Sequence, residues 1–370
     1  MPIQEILTGV TFPGSGLVNV NTLKNPLQYF GSLLHLWSKA DSGVTLSPGL
    51  SVPVTASSIT GNVGTITVNT NGNVNLAYAL DQQITVANCT NATACNGTFP
   101  ISAMGTTTLS FAVTAANVSS AAESSATVVA QQVSNWSDNS SYIHPWNVIG
   151  DINWPGPAEG SYTSPINTGI TLPSLVSTGV NGHRGFLRQT YSSDFDFPAT
   201  SPFSIILAVI PGTSGGAGDV YPCTIGTVLG SAAGPPGGWS LSPFQTASVK
   251  QPTFRLINTK GTAEASISMS SAITSGTPCT LYAINSGAGN ASGLSMYMNG
   301  ISQATTTLFN TLGTATTVSG VAVGILGDAS TGGGVSTDTV LEVIIVAKAL
   351  TTTDIAFMDA YLNEKWGIHS

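Results

Sequence analysis

Between about residue 46 and residue 348 the apolar residues either alternate with polar ones or gather into runs of strand length, and no stretch keeps a helical period. In "TTTLSFAVTAANVSS" (106–120), Leu109, Phe111 and Val113 fall on one side of an extended chain. Successive side chains of a strand point to opposite faces, so this pattern reads as strand. "GTITVNTNGNVNLAYAL" (64–80) alternates in the same way. Further on, "FSIILAVI" (203–210), "TFRLINT" (253–259), "CTLYAINS" (279–286) and "TVLEVIIVAKA" (339–349) are strand-sized, with Gly-rich stretches between them. Charged residues make up only 7% of the chain, against about 25% in an ordinary globular protein. Ser, Thr, Asn, Gln and Gly must therefore cover the surface, and they favour strands and turns over helices.

The one helix is expected at the end, in "TTTDIAFMDAYLNEKW" (351–366). Thr351 is placed to cap it, with Asp354 completing a capping box. Ile355, Met358, Leu362 and Trp366 recur at helical spacing and would face the sandwich, and Gly367 is the stop. With 370 residues, two domains, or one large sandwich with an insertion, are expected.

The net charge is −8 and no run of Lys or Arg exists. A nucleic-acid partner needs a basic footprint, so that class is rejected. No apolar run reaches the length of a membrane-spanning helix, and none is expected. The N-terminus "MPIQEILTGVTFPGSG" does not read as a secretory signal, and synthesis in a bacterial cytoplasm is expected. The seven N-x-S/T triplets follow from a composition rich in Asn, Ser and Thr. Of the four cysteines, Cys89 and Cys95 in "CTNATAC" are close enough to bridge within a loop. No C-x-x-C pair exists, which argues against zinc.

Two tryptophan stretches share a cadence: "HLWSKADSGVT" (35–45) and "VSNWSDNSS" (133–141). Strand and loop lengths would put such pieces about 10 to 20 residues apart, yet roughly ninety residues separate them, most of them a β-rich segment at 46–127. That segment has the size and rhythm of an immunoglobulin-like sandwich. "LEVIIVAKALTTTDIAFMDAYLNEKWGI" (341–368) resembles the closing signature of concanavalin A-like (laminin G-like) sandwich domains of bacterial and phage proteins. "PSLVSTGVNGHRGFLR" (173–188), "SPFSIILAVIPG" (201–212), "GLSMYMNG" (293–300) and the tryptophan pair resemble other parts of the same domains. The resemblance implies an all-β chain: a concanavalin A-like jelly-roll sandwich from 33–45 and 128–370, an inserted immunoglobulin-like sandwich at 46–127, and one C-terminal helix. Residues 1–32, apolar in patches, are expected to be an N-terminal attachment arm.

The chemistry-bearing residues are sparse. "GTSGG" (212–216) matches the G-x-S-x-G nucleophile pattern, but no helical period follows it, and a flexible loop is expected. Glucanases of the resembled fold carry carboxylates alternating along one strand, and no such run exists here. In "SDFDFP" (193–198), Asp194 and Asp196 would share one face of a strand; they are the candidate for a calcium ion. The stretch "SYIHPWNVIGDINWPGPAEGSY" (141–162) holds Tyr142, His144, Trp146, Trp154 and Tyr162 on what reads as one proline-stiffened loop. Such a loop either covers the sandwich or contacts a ligand or partner.

The expected function is a non-enzymatic structural component of a bacteriophage particle, decorating the capsid or forming a fibre on the exterior of the virion. It would be a homo-oligomer in contact with other virion proteins and a host-surface glycan, with no cofactor. A carbohydrate-binding adhesin or receptor-binding module is the alternative, and a glycoside hydrolase the third reading.

Overall fold

The computed structural model describes residues 25–39, 44–68, 78, 83–144, 146–149, 158–163, 171–176, 186–189, 192–211, 225–226, 238–243, 251–258, 262–313, 323–325 and 339–369. The fold is mostly β, its strands pair antiparallel, and its helices are few. One sheet has Phe203–Ile210 at its centre, between Thr339–Val346 and Cys279–Asn285. Leu34–Lys39 joins the far side of Thr339–Val346, with Trp37 opposite Ile344. The three central strands are buried along almost their whole length. That is why "FSIILAVI" is a continuous apolar run and not an alternating one: both faces of the sheet are covered.

One cover is the second sheet, which runs from Thr305–Asn310 through Glu264–Met269, Thr253–Ile257 and Gly238–Ser242. Phe203 meets Trp239 and Phe254 of that sheet, with ring centroids 5.9 and 6.0 Å apart. The other cover is the helix Thr352–Trp366, whose Ile355, Met358, Leu362 and Trp366 join the same core. The helix is capped as its sequence predicts. Thr351 Oγ1 accepts from Asp354 N, Asp354 accepts from Thr351 N, and Gly367 closes the end in the left-handed conformation.

Glu342 sits between this sheet and the helix, fully buried. Its carboxylate accepts from Trp37 Nε1 at 2.6 Å, Tyr361 OH at 2.9 Å, Lys365 Nζ at 2.8 Å and Trp366 Nε1 at 2.8 Å. A buried charge is tolerated only when paired and hydrogen-bonded. Here the pairing ties the first strand of the sandwich to its last helix. Asn25 starts the short helix Pro26–Phe30 with a capping box; Phe30 enters the core and Tyr29 stacks on Phe357 at 3.8 Å. The last residues of the expected arm thus lie on the C-terminal helix, while residues 1–24 lie outside the described residues.

A second, separate core gathers Val54, Ile59, Ile66, Ile84, Val86, Leu109, Phe111 and Val128. It is reached along two paired strands, Val44–Thr60 and Thr127–Trp136, in register from Val44 opposite Trp136 to Pro53 opposite Thr127. These strands run unbroken through the junctions expected at 45/46 and 127/128. Two register shifts, at Thr45/Leu46 and Pro48/Ser51, bend the ribbon. The joint between the two cores is thus a hydrogen-bonded ribbon, not a linker. Among the described residues, no helix is long and apolar enough to cross a membrane.

Candidate functional site

The two tryptophan stretches, far apart in sequence, meet in space. Trp37 N donates to Asp138 Oδ1 at 2.9 Å, Asn139 N donates to Trp37 O at 2.6 Å, and Trp136 Nε1 donates to Lys39 O at 2.9 Å. Asp138 also accepts from Ser140 N, Ser140 Oγ and His144 N. One buried carboxylate therefore takes four hydrogen bonds and shapes the turn at 140–144.

The side chains of that turn are held from outside it. Tyr142 OH donates to Ser32 O at 3.1 Å, and its ring lies 4.5 Å from that of His35. His144 Nε2 donates to Asp194 Oδ2 at 2.9 Å, and its ring meets the edge of Phe195 at 4.9 Å. His35 Nδ1 lies 2.7 Å from Asp194 O; a carbonyl only accepts, so the proton is on Nδ1. Gln189 Nε2 donates to His144 O at 3.0 Å. Its buried Oε1 has no hydrogen-bond partner.

With Tyr142 and His144 drawn in, Ile143 between them points out: it is 72% exposed, with φ at 58°. A β-branched residue is a rare occupant of the left-handed region, where Cβ crowds the following carbonyl. Sequence reasoning named the flanking Tyr142 and His144 but missed Ile143, His35 and the part played by Asp138. The only local signal was Asp138 followed by Ser140, the pattern of an Asx turn.

The remaining candidates divide. Trp146 lies in the strand Trp146–Ile149, paired with Trp136 and Gln189 in the second sheet. Tyr162 lies in Ala158–Thr163, opposite Leu172 in the first sheet. The stretch 141–162 is therefore not one loop, as expected, but a crossover with a strand in each sheet. A sandwich chain must change sheets somewhere, and it does so here. Trp154 and the "GTSGG" stretch (212–216) lie outside the described residues.

Asp194 and Asp196 do not share a strand face either. They lie at a 3-10 turn, Ser193–Phe195, because Ser192 Oγ accepts from Asp194 N and turns the chain. Asp194 Oδ2 is taken up by His144 and Ser192 Oγ. Among the described residues no group of three or more His, Cys, Asp and Glu side chains is placed to hold a metal ion. Ser192 donates to the same carboxylate oxygen as His144, so the histidine does not activate it as a nucleophile. The arrangement positions a turn.

Cys89 and Cys95, close enough in sequence to bridge, are buried free thiols. Burial pushes the Cys89 thiol up to about 11, and the charge of Glu123 adds to it.

No protein-family model matches the sequence, and no curated protein matches it. Among solved structures, the chain is similar to the binding domain of botulinum neurotoxin serotype C1, at 16% identity over 61% of this chain and 49% of that one, with a TM-score of 0.41. It is also similar to the binding domain of Paraclostridial Mosquitocidal Protein 1, at 12% identity over 62% of this chain and 50% of that one, with a TM-score of 0.39. The chain spans about half the length of these structures. The likeness is a distant one between β-rich, sandwich-like folds.

Proposed function

We propose that the chain is a receptor-binding or adhesin module without catalytic activity. It would be built as a concanavalin A-like sandwich (33–45 and 128–370) carrying an immunoglobulin-like insertion (46–127), and the 140–144 turn would meet the receptor. One observation carries this reading: Ile143 stands 72% exposed at a φ of 58°. An apolar side chain in that position adds little to folding, and its backbone costs about 1 kcal/mol. Strain of this kind collects at ligand clamps, where the surroundings over-determine it. Here the hydrogen bonds of Asp138, Tyr142 and His144 do so. The result is an apolar tip with aromatic and polar groups on both sides, a composition suited to the centre of a recognition surface.

The test is Ile143→Gly. Glycine accepts the positive φ without strain, so the variant should melt no lower than the parent. It should lose about tenfold or more of its binding to bacterial cells or to an immobilised glycan array. A lowered melting temperature with undiminished binding would sink the proposal.

A second reading, a structural component on the exterior of a bacteriophage particle, is favoured by the strand Thr305–Asn310. Among the described residues it pairs on one side only, with Glu264–Met269. It is almost wholly exposed, holds no charged residue, and presents Phe309 at 54% exposure. Soluble monomers usually guard such an edge with charge, so this edge suits packing against another copy. Sedimentation should show an oligomer that Phe309→Lys weakens. A monomer at every concentration would exclude this packing.

A further inference from the structure

We infer that a groove between the hairpin tip at 299–301 and the C-terminal helix binds a neutral, hydroxyl-rich ligand, a sugar residue. The groove encloses about 700 Å³ and is lined by Asn299, Gly300, Ile301, Asp359, Asn363 and Glu364, among others. Asn299, at a φ of 50°, turns the chain between Leu294–Met298 and Ile301–Ser302. Its Oδ1 accepts from Thr280 N at 2.9 Å. Asn363 is tied in the same way, with Oδ1 accepting from His369 N at 2.8 Å. An amide side chain has an acceptor end and a donor end. With both acceptor ends engaged by backbone, the two Nδ2 donors stay without a partner among the described residues, and their orientation is set in advance.

The acceptors, Asp359 and Glu364, lie on the same helix as Asn363, and Asp359 Oδ1 also accepts from Thr280 Oγ1 and Tyr282 OH at 3.4 Å. Asp359 lies 3.1 Å from His369 Nε2, and Gly300 packs against it so closely that a Cβ there would come 2.8 Å from Asp359 Cγ. Glu364 is exposed. Ile301, 68% exposed, supplies an apolar wall. A hydroxyl both donates and accepts, so adjacent hydroxyls can take an amide N–H on one side and give to a carboxylate on the other. A simple cation would face the two amide donors, and an anion would face the two carboxylates. The mixed set fits a polyol better than either, and the C–H face of a sugar can rest on Ile301. This inference rests on the adhesin reading only in its ligand class, since the groove shares no residue with the 140–144 turn.

Saturation-transfer NMR on the full chain, with a panel of neutral mono- and disaccharides, tests it. At least one sugar should bind with a Kd on the order of 1 mM. Asn299→Asp and Asn363→Asp keep the Oδ1 acceptor and the shape but remove the free donor. Each should weaken that binding about tenfold. Ile143→Gly should leave it unchanged. If either Asp variant melts lower, Glu364→Gln at the exposed rim gives the same comparison. The inference fails if no panel sugar binds, if the variants bind as the parent does, if Ile143→Gly abolishes the signal, or if a primary amine such as spermine binds in preference to every sugar.

Discussion

Trp37 and Asp138 stand 101 positions apart in the chain and are joined by a 2.9 Å hydrogen bond from the backbone of one to the carboxylate of the other. The same carboxylate holds the backbone of His144. The strand Leu34–Lys39 and the exposed turn are therefore one unit, closed by a single acid, although a whole second core lies between them in the sequence.

Removing that second core tests the unit. Excising 54–126 and joining Pro53 to Thr127 through a Gly/Ser turn keeps every ribbon pair from Val44 to Pro53. The shortened chain should melt cooperatively, retain the near-ultraviolet signal of Trp136 and Trp239, and still bind through Ile143. A chain that is unfolded by circular dichroism and cleaved rapidly by protease would show that the second core is required for the first.

Glu342 should be the least replaceable polar residue of the sandwich. Glu342→Gln leaves the Lys365 ammonium without its carboxylate in a buried place, and breaking one side of a buried pair costs about 3–5 kcal/mol. Urea unfolding should show a loss of that order with the slope unchanged. A loss below about 1 kcal/mol, the range of an exposed pair, would mean that the four donors are not held on Glu342 in solution.

Acid should loosen the second core through Glu123. Burial works to raise its carboxyl from the ordinary 4.5, but hydrogen bonds from Ser57, Thr90 and Asn91 outweigh that and hold it at about 2. A carboxyl lower in the folded state stabilises the fold fully above its unfolded value, and the contribution fades as pH falls toward the folded one. The stabilisation should thus disappear between about pH 4.5 and about pH 2. Thermal melts of Glu123→Gln should start lower at neutral pH and lack this part of the acid slope. Parallel slopes for parent and variant would remove Glu123 as the cause.

Slow chemistry is expected of the two thiols beside it. With the Cys89 thiol pushed up to about 11 by burial and by Glu123, little thiolate exists at neutral pH, and thiolate is the reactive form. Iodoacetamide should leave Cys89 and Cys95 unmodified in the folded chain and label both after denaturation. Mass spectrometry without reductant should find no link between them. Rapid labelling of the native protein would contradict the burial.

Some of this protein was legible in its residues because the information is local. The alternation of Leu109, Phe111 and Val113 places them on one buried side, since a strand has a period of two whatever it packs against. Thr351, Asp354 and Gly367 mark the ends of the last helix, since a cap is made within one turn of chain. Tertiary structure decided the rest. It split the aromatic stretch at 141–162 between two sheets, drew Asp194 onto His144 across 50 positions, and left Ile143 outside at a positive φ. No local pattern encodes those outcomes. Each depends on which distant backbone and side-chain groups the packed sheets bring within hydrogen-bond reach, and a residue such as Ile143 takes its conformation from neighbours that are fixed elsewhere.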